Sequence, residues 1–286
     1  MLFTFDFYSF AKEVAKSDII IDAWGQEHKV KDIDMILTTS MLKLWDSYNS
    51  IDHYLRCCNE NGYTFRVAKV CPKELENERT LNYQFIQSFE LDDNDIEELI
   101  KPTIDEINGS LGLDYAKTLL YLRGQNMNEN NAFVGNDDYT KALMIEPELI
   151  KDSFIQQKIV NMRRKRINEA KVGTLNIRGN YAVISGDPYS LCQSIFGLKV
   201  TGLLKANQCY SKKWNDIFKE ENKKDRFIVA FRAPMSCHNN IRKLEVIEND
   251  EMLKWYKYMT TVNILSSWDT VTHAENGADK DKMLSL

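Results

Sequence analysis

Two aspartates one residue apart, Asp279 and Asp281, follow Asn276-Gly277-Ala278. Carboxylates so spaced can converge on one magnesium ion where the backbone turns sharply, and the glycine and alanine before them leave room for that turn. The same pattern also suits a polar surface turn, so its meaning depends on what accompanies it. Lys69 continues the apolar side of the alternating run 63–70, where an inward lysine either snorkels at a strand end or points into a site. Arg163, Arg164, Lys165 and Arg166 make the stretch 158–171 basic enough to follow a nucleic-acid backbone, or to form a solvated helix face. His273 stands three residues before Asn276, but histidine is an unusual ligand for magnesium.

The elements that must position these residues show in the apolar spacing. Met41, Leu44, Trp45, Tyr48 and Leu55 fall on one helical face and predict a helix over 40–58 that Asn61-Gly62 stops, followed by a strand over 63–70. From about 81 to 171 the pattern is helical, with Asp92 or Asp93 as an N-cap, Gly124 as a stop, a loop over 125–138 and Pro147 at a helix start. From Gly173 it changes to strands. Runs over 174–177 and 181–185 flank Arg178-Gly179-Asn180 as an expected hairpin, and further strands are predicted over 226–231, 244–247 and 262–265. Gly186-Asp187-Pro188-Tyr189 is turn chemistry leading into a helix. Trp255, Tyr256 and Tyr258 suit either the core or stacking on bases.

The segment Phe231-Arg232-Ala233-Pro234-Met235-Ser236-Cys237-His238-Asn239-Asn240-Ile241 lies upstream of the aspartates. In order and approximate separation, the two motifs resemble the Arg-Ala-Pro segment and the aspartate loop, written NADFDGD, of the large catalytic subunit of cellular RNA polymerases. The likeness extends to single-chain phage RNA polymerases and to eukaryotic silencing RNA-dependent RNA polymerases, all of the two-barrel class. It covers the last sixty or so residues best. Residues 36–43, the strand ending Val67-Ala68-Lys69, and Leu81-Asn82-Tyr83-Gln84 are weaker likenesses in the N-terminal part.

The resemblance implies an α+β fold of two double-psi β-barrel-like modules joined by helices: a first barrel over 1–80, a helical connection over 81–172 and a second barrel over 173–286. It implies an RNA polymerase core that binds a nucleic-acid template and RNA product and uses ribonucleoside triphosphates with Mg2+. Asp279 and Asp281 match the first two metal-binding aspartates, Arg232 the arginine at the incoming ribose, and Lys43 and Lys69 the phosphate-side lysines. His238 falls where it would meet substrate or template, or serve as a structural hydrogen-bonding group. One departure weakens the metal site: the third aspartate and its preceding glycine are missing, and Lys282-Met283 follows Asp281. The sequence ends at Leu286, so the second barrel is expected to lack its last strand. A noncatalytic nucleic-acid-binding remnant of the same fold is the alternative, and a magnesium-dependent nuclease a more distant one.

Composition is consistent with a folded chain: 43% hydrophobic and 28% charged residues are ordinary globular values. The net charge of -5 conceals an acidic stretch over 90–106 and the basic one over 158–171. Six cysteines without CxxC pairing read as reduced thiols rather than a zinc site or disulfide scaffold. No phosphate loop, dinucleotide fingerprint or nucleophile elbow is present. Neither a signal peptide nor a membrane-spanning run is visible, which sets a cytoplasmic location as the expectation.

Overall fold

Strand and helix alternate irregularly along the chain, giving the expected mixed α+β class. The computed structural model describes residues 4–39, 41–42, 44–64, 66, 70–81, 83–110, 114–125, 138–231, 235, 240–275 and 282–285. The strands are β1 (Ile19–Ile21), β2 (Glu27–Lys29), β3 (Glu78–Thr80), β4 (Asn176–Arg178), β5 (Asn180–Gly186), β6 (Gln208–Ser211), β7 (Phe227–Phe231), β8 (Ile241–Val246), β9 (Val262–Leu265) and β10 (Lys282–Ser285). Two compact units are interleaved in sequence: one comprises Met1–Cys71, Ser185–Lys224 and Val246–Thr270, the other Pro72–Ile184, Asp225–Glu245 and Val271–Leu286.

The first unit contains the antiparallel pairs β1–β2 and β6–β9. Phe10 is fully buried, its ring 5.1 Å from that of Tyr189 and 5.5 Å from that of Trp255, both edge-on. Such an aromatic seed buries much apolar area per residue ordered. Trp255 and Tyr256 are therefore core residues, while Tyr258 stays exposed. The helix Pro188–Ile195 begins as its turn chemistry predicts: Asp187 caps it by accepting from the Tyr189 amide at 2.8 Å. The helix expected over 40–58 forms only as Ile51–Glu60, capped by Ser50. Leu44, with φ of 60°, adopts the left-handed conformation, which a continuous α-helix excludes, and only a short 3-10 turn, Trp45–Ser47, follows it. Residues 63, 64, 66 and 70 carry no strand, contrary to the alternation there.

The second unit holds the expected helices, among them Asp93–Ser110, Tyr115–Gln125, Asp138–Ile145 and Ser153–Lys171. Asp92 caps the first, accepting from the Asp95 amide at 2.8 Å while its own amide donates to the Asp95 carboxylate. Leu122, Leu143, Ile150, Ile155 and Ile159 form one apolar cluster under these helices. The hairpin expected at Arg178-Gly179-Asn180 is not made. β4 pairs with the distant β3, and β5 with β10, so those three residues carry the chain from one sheet to another. β10 pairs antiparallel with β5 on one side and β7 on the other, and β7 with β8, so β8–β7–β10–β5 make a curled half-barrel. β10 is a strand where none was expected after the aspartates.

Candidate functional site

The strand β7 is apolar, Phe-Ile-Val-Ala-Phe, and buries Ile228, Ala230 and Phe231. It ends at Phe231, directly before Arg232. Phe231 and Met235 belong to one cluster with Leu81, Leu175 and Ile177, and the Phe85 ring lies 4.9 Å from that of Phe231. Burying a phenylalanine this completely is worth about 1.5–3 kcal/mol. The Met235 amide donates to Gln84 Oε1 at 3.1 Å. Phe231 and Met235, which bracket Arg232-Ala233-Pro234, are thus held by residues about 150 positions upstream: by packing at one end, and by packing and a side-chain hydrogen bond at the other.

The described residues on either side of the aspartate segment are held as well. Upstream of it, Thr272 in the helix Thr270–Glu275 is fully buried and accepts from Arg242 Nε at 3.2 Å. Arg242 stands on β8 opposite Ala230 of β7. Downstream, β10 begins at Lys282, with Lys282 opposite Val183 of β5 and Leu284 opposite Phe231 of β7. The strand that starts immediately after Asp281 is therefore in register with the strand that stops immediately before Arg232. Gln84 and Arg242 were not singled out from sequence. Gln84 at least lies in the Leu81–Gln84 likeness, whereas Arg242 falls outside the strand expected over 244–247 and nothing in the sequence marked it.

Asp279, Asp281, Arg232 and His238 lie outside the described residues, as do Lys43 and Lys69 in the first unit. Next to Lys43 the described chain makes a turn in which the Met41 and Leu42 amides donate to the Thr38 carbonyl, and next to Lys69, Val70 is exposed. His273 contributes to the helix Thr270–Glu275. Among the described residues no three His, Cys, Asp or Glu side chains gather as a metal site. As a donor set, two carboxylates fit a hard divalent cation, although Lys280 and Lys282 beside them add opposing charge.

The basic stretch divides. Arg163, Arg164 and Lys165 are exposed on the helix Ser153–Lys171, as phosphate contacts require. Arg166 departs from that expectation: it is 6% exposed and turned inward. It reaches Glu106 at 3.2 Å, the Thr174 carbonyl at 2.8 Å and Asn176 Oδ1 at 2.9 Å. Asn176 in turn donates from its side-chain amide to Glu106 and from its backbone amide to the Thr103 hydroxyl oxygen at 2.8 Å. Arg166 thus ties two helices to β4 and is unavailable to a nucleic acid in this fold. Burial raises the Tyr121 hydroxyl pKa, with the Glu106 charge adding to it and Arg166 opposing.

In the first unit a second buried charge, Asp187, accepts from the Tyr256 hydroxyl at 2.7 Å, Ser190 Oγ at 2.9 Å and the Leu203 amide at 3.0 Å as well as from Tyr189. Its partners have no room to spare. A Cβ on Gly202, where φ is +67°, would sit 2.6 Å from Ser190 Oγ and 2.8 Å from Asp187 Oδ2. With every oxygen engaged this aspartate serves the fold. Cys192 beside it is a free thiol that burial, then the Asp187 charge, pushes up to about 12.

No protein-family model matches the chain. Over 274 residues it is 27% identical to the DNA-directed RNA polymerase YonO of Bacillus phage SPbeta, an alignment taking in 87% of this chain and 32% of the phage protein. The chain is thus similar, over nearly all its length, to about a third of a DNA-directed RNA polymerase. No helix among the described residues is long and apolar enough to cross a membrane.

Proposed function

We propose that this chain is a catalytic segment of an RNA polymerase, a nucleotidyltransferase that joins ribonucleoside triphosphates to an RNA 3′ end on a nucleic-acid template. The observation that carries the proposal is the register of β10 against β7, with Leu284 opposite Phe231, because it ties together the two flanks of the Arg-Ala-Pro and aspartate motifs. The similarity to the phage polymerase over 87% of the chain supports the same reading.

In this reading Asp279 and Asp281 hold Mg2+, Arg232 selects the ribose of the incoming nucleotide, and Lys43 and Lys69 neutralise its phosphates, with His238 at the substrate. When bound, the metal supplies charge stabilisation at the reacting phosphate. Gln84, through the Met235 amide, and Arg242, through Thr272, hold the backbone on either side of these residues. Arg163 and Arg164 contact the phosphates of the nucleic acid. Residues 1–80 and 173–286 correspond to the two double-psi barrels and 81–172 to their helical connection, and the protein works in the cytoplasm, that of a host cell where it is phage-encoded.

A second reading, a noncatalytic nucleic-acid-binding remnant, is favoured by one observation: Lys282 opens β10 where a glycine and a third aspartate would otherwise extend the loop. A primer-extension assay with Mg2+ separates the two. Little RNA synthesis is expected from the chain as it stands, and a gain is expected when Gly-Asp is inserted between Asp281 and Lys282, abolished by Asp279→Ala. Template binding with no synthesis before or after the insertion favours the remnant. Absence of both binding and synthesis removes the polymerase reading.

A further inference from the structure

An open groove of about 380 Å³ runs along the helices Asp93–Ser110 and Ser153–Lys171. Its wall is aliphatic, with Ile107 and Leu175 buried at the bottom and Ile104 and Ile167 higher up, Ile104 being 45% exposed. Thr103, Asn108 and two cations, Arg163 and Lys171, are its polar lining, and no carboxylate or aromatic ring belongs to it. Among the described residues neither cation is ion-paired, whereas their neighbours Lys165 and Arg166 face Glu169 and Glu106. The groove therefore joins an apolar floor to uncompensated positive charge.

Arg163 and Lys171 are eight residues apart on one helix, so their backbone positions are separated by about 12 Å at a rise of 1.5 Å per residue. A fatty acid has one carboxylate and leaves one cation unanswered. A nucleobase gains most from stacking on aromatic rings, and here there are none. An amphipathic helix meets both requirements, since its apolar residues at i, i+3, i+4 and i+7 fill a groove between two helices and acidic residues about two turns apart reach both ends.

We infer that this groove docks an amphipathic α-helix of a protein partner, with a carboxylate at each end of its apolar stripe against Arg163 and Lys171. This site does not include the aspartate motif, but it shares Arg163 with the phosphate contacts of the polymerase reading, so the groove is tested at Lys171 and Ile104 instead. The test uses the full chain and a fluorescein-labelled synthetic helix with leucines along one face and a glutamate at each end of the stripe, followed by fluorescence anisotropy. A twin carrying lysines in place of the glutamates is the control. The acidic helix is expected to bind at least about tenfold more tightly than its twin. Lys171→Glu and the neutral Ile104→Gln should each weaken binding by about tenfold or more, whereas Lys151→Glu, outside the groove, should leave it unchanged. Circular dichroism confirms that the variants are folded. Equal binding of the two peptides, no binding, or indifference to both groove substitutions overturns the inference. So does displacement by a single-stranded oligonucleotide whose own binding falls equally on Ile104→Gln, since the groove would then be a nucleic-acid surface.

Discussion

Arg166 in one unit and Asp187 in the other are both buried charges, and they are accommodated differently. Arg166 is met by an opposite charge, Glu106, with the Thr174 carbonyl and Asn176 Oδ1 each accepting one N–H from its two terminal nitrogens. Asp187 is met by neutral donors, two hydroxyls and two amides, at the start of a helix whose dipole favours an anion. An ion pair allows the charge to be replaced together with its partner, because both desolvation costs vanish at once. A carboxylate held by four neutral donors does not, because its removal leaves every donor buried and unpaired.

The largest effect is therefore expected at Asp187. Asp187→Ala should destabilise the protein by on the order of 4 kcal/mol, measured by urea unfolding, with Asp187→Asn recovering part of it. Arg166→Ala should cost about 3 kcal/mol, because Glu106 is left without its partner. The pairwise design sharpens the contrast: Arg166→Met combined with Glu106→Gln should recover much of that loss, whereas no single neutral partner change rescues Asp187→Ala. If Arg166→Ala is neutral, the inward ion pair contributes nothing and the basic stretch acts as one solvated face.

How these charges would be used was legible only where the determinant is local. The helices of the second unit follow from apolar spacing and caps such as Asp92, and β7 and β9 from short apolar runs. Asp187-Pro188 is recognisable as a turn into a helix, but the Tyr256 hydroxyl that makes Asp187 a buried hub comes from 69 residues away. Arg166 hides among identical-looking neighbours, and its partner Glu106 is 60 positions off. The β4–β5 connection shows the same limit in backbone form. Arg178-Gly179-Asn180 has hairpin chemistry, yet pairing with β3 and β10 overrides it. β10 is four residues long and is defined by its two neighbours rather than by any alternation of its own. At the candidate site the motifs could be found in sequence, while the supports of their flanks, Gln84 and Arg242, required the fold.

A smaller effect is read through pH. Burial, reinforced by the charge and hydrogen bond of Asp187, raises the Tyr256 pKa, and burial pushes Tyr210 up to about 12 from 10.0 and Cys192 up to about 12 from 9.0. In the unfolded chain these groups lose protons from about pH 9 upward, while in the folded chain they keep them, so stability falls as pH rises through the unfolded values. Tyr256→Phe should cost about 1–2 kcal/mol near neutrality, through the lost bond to Asp187, and should make the alkaline decline shallower. Urea midpoints at about pH 8 and about pH 10.5 check both. An unchanged slope of stability against pH would show that Tyr256 ionises as readily in the fold as in water.

The smallest effect on stability, and the one that tests the use of the basic stretch, concerns the arginines that the fold does not consume. Arg163 and Arg164 are exposed on the same helix that turns Arg166 inward, so replacing them should leave the unfolding midpoint nearly unchanged. If they contact phosphates, each removes one counterion-releasing contact. The slope of log affinity against log salt for a single-stranded oligonucleotide should then become less steep by about 0.7 per arginine. The loss should be alike for different base sequences, because backbone contacts carry no sequence information. Arg166→Lys provides the internal comparison: it keeps the charge but loses the planar fork that joins Glu106, Thr174 and Asn176, so it should lower stability while leaving the salt slope alone. A salt slope that responds to Arg166→Lys in a still-folded protein, and not to Arg163→Ala or Arg164→Ala, would place the nucleic acid against the face that this fold buries.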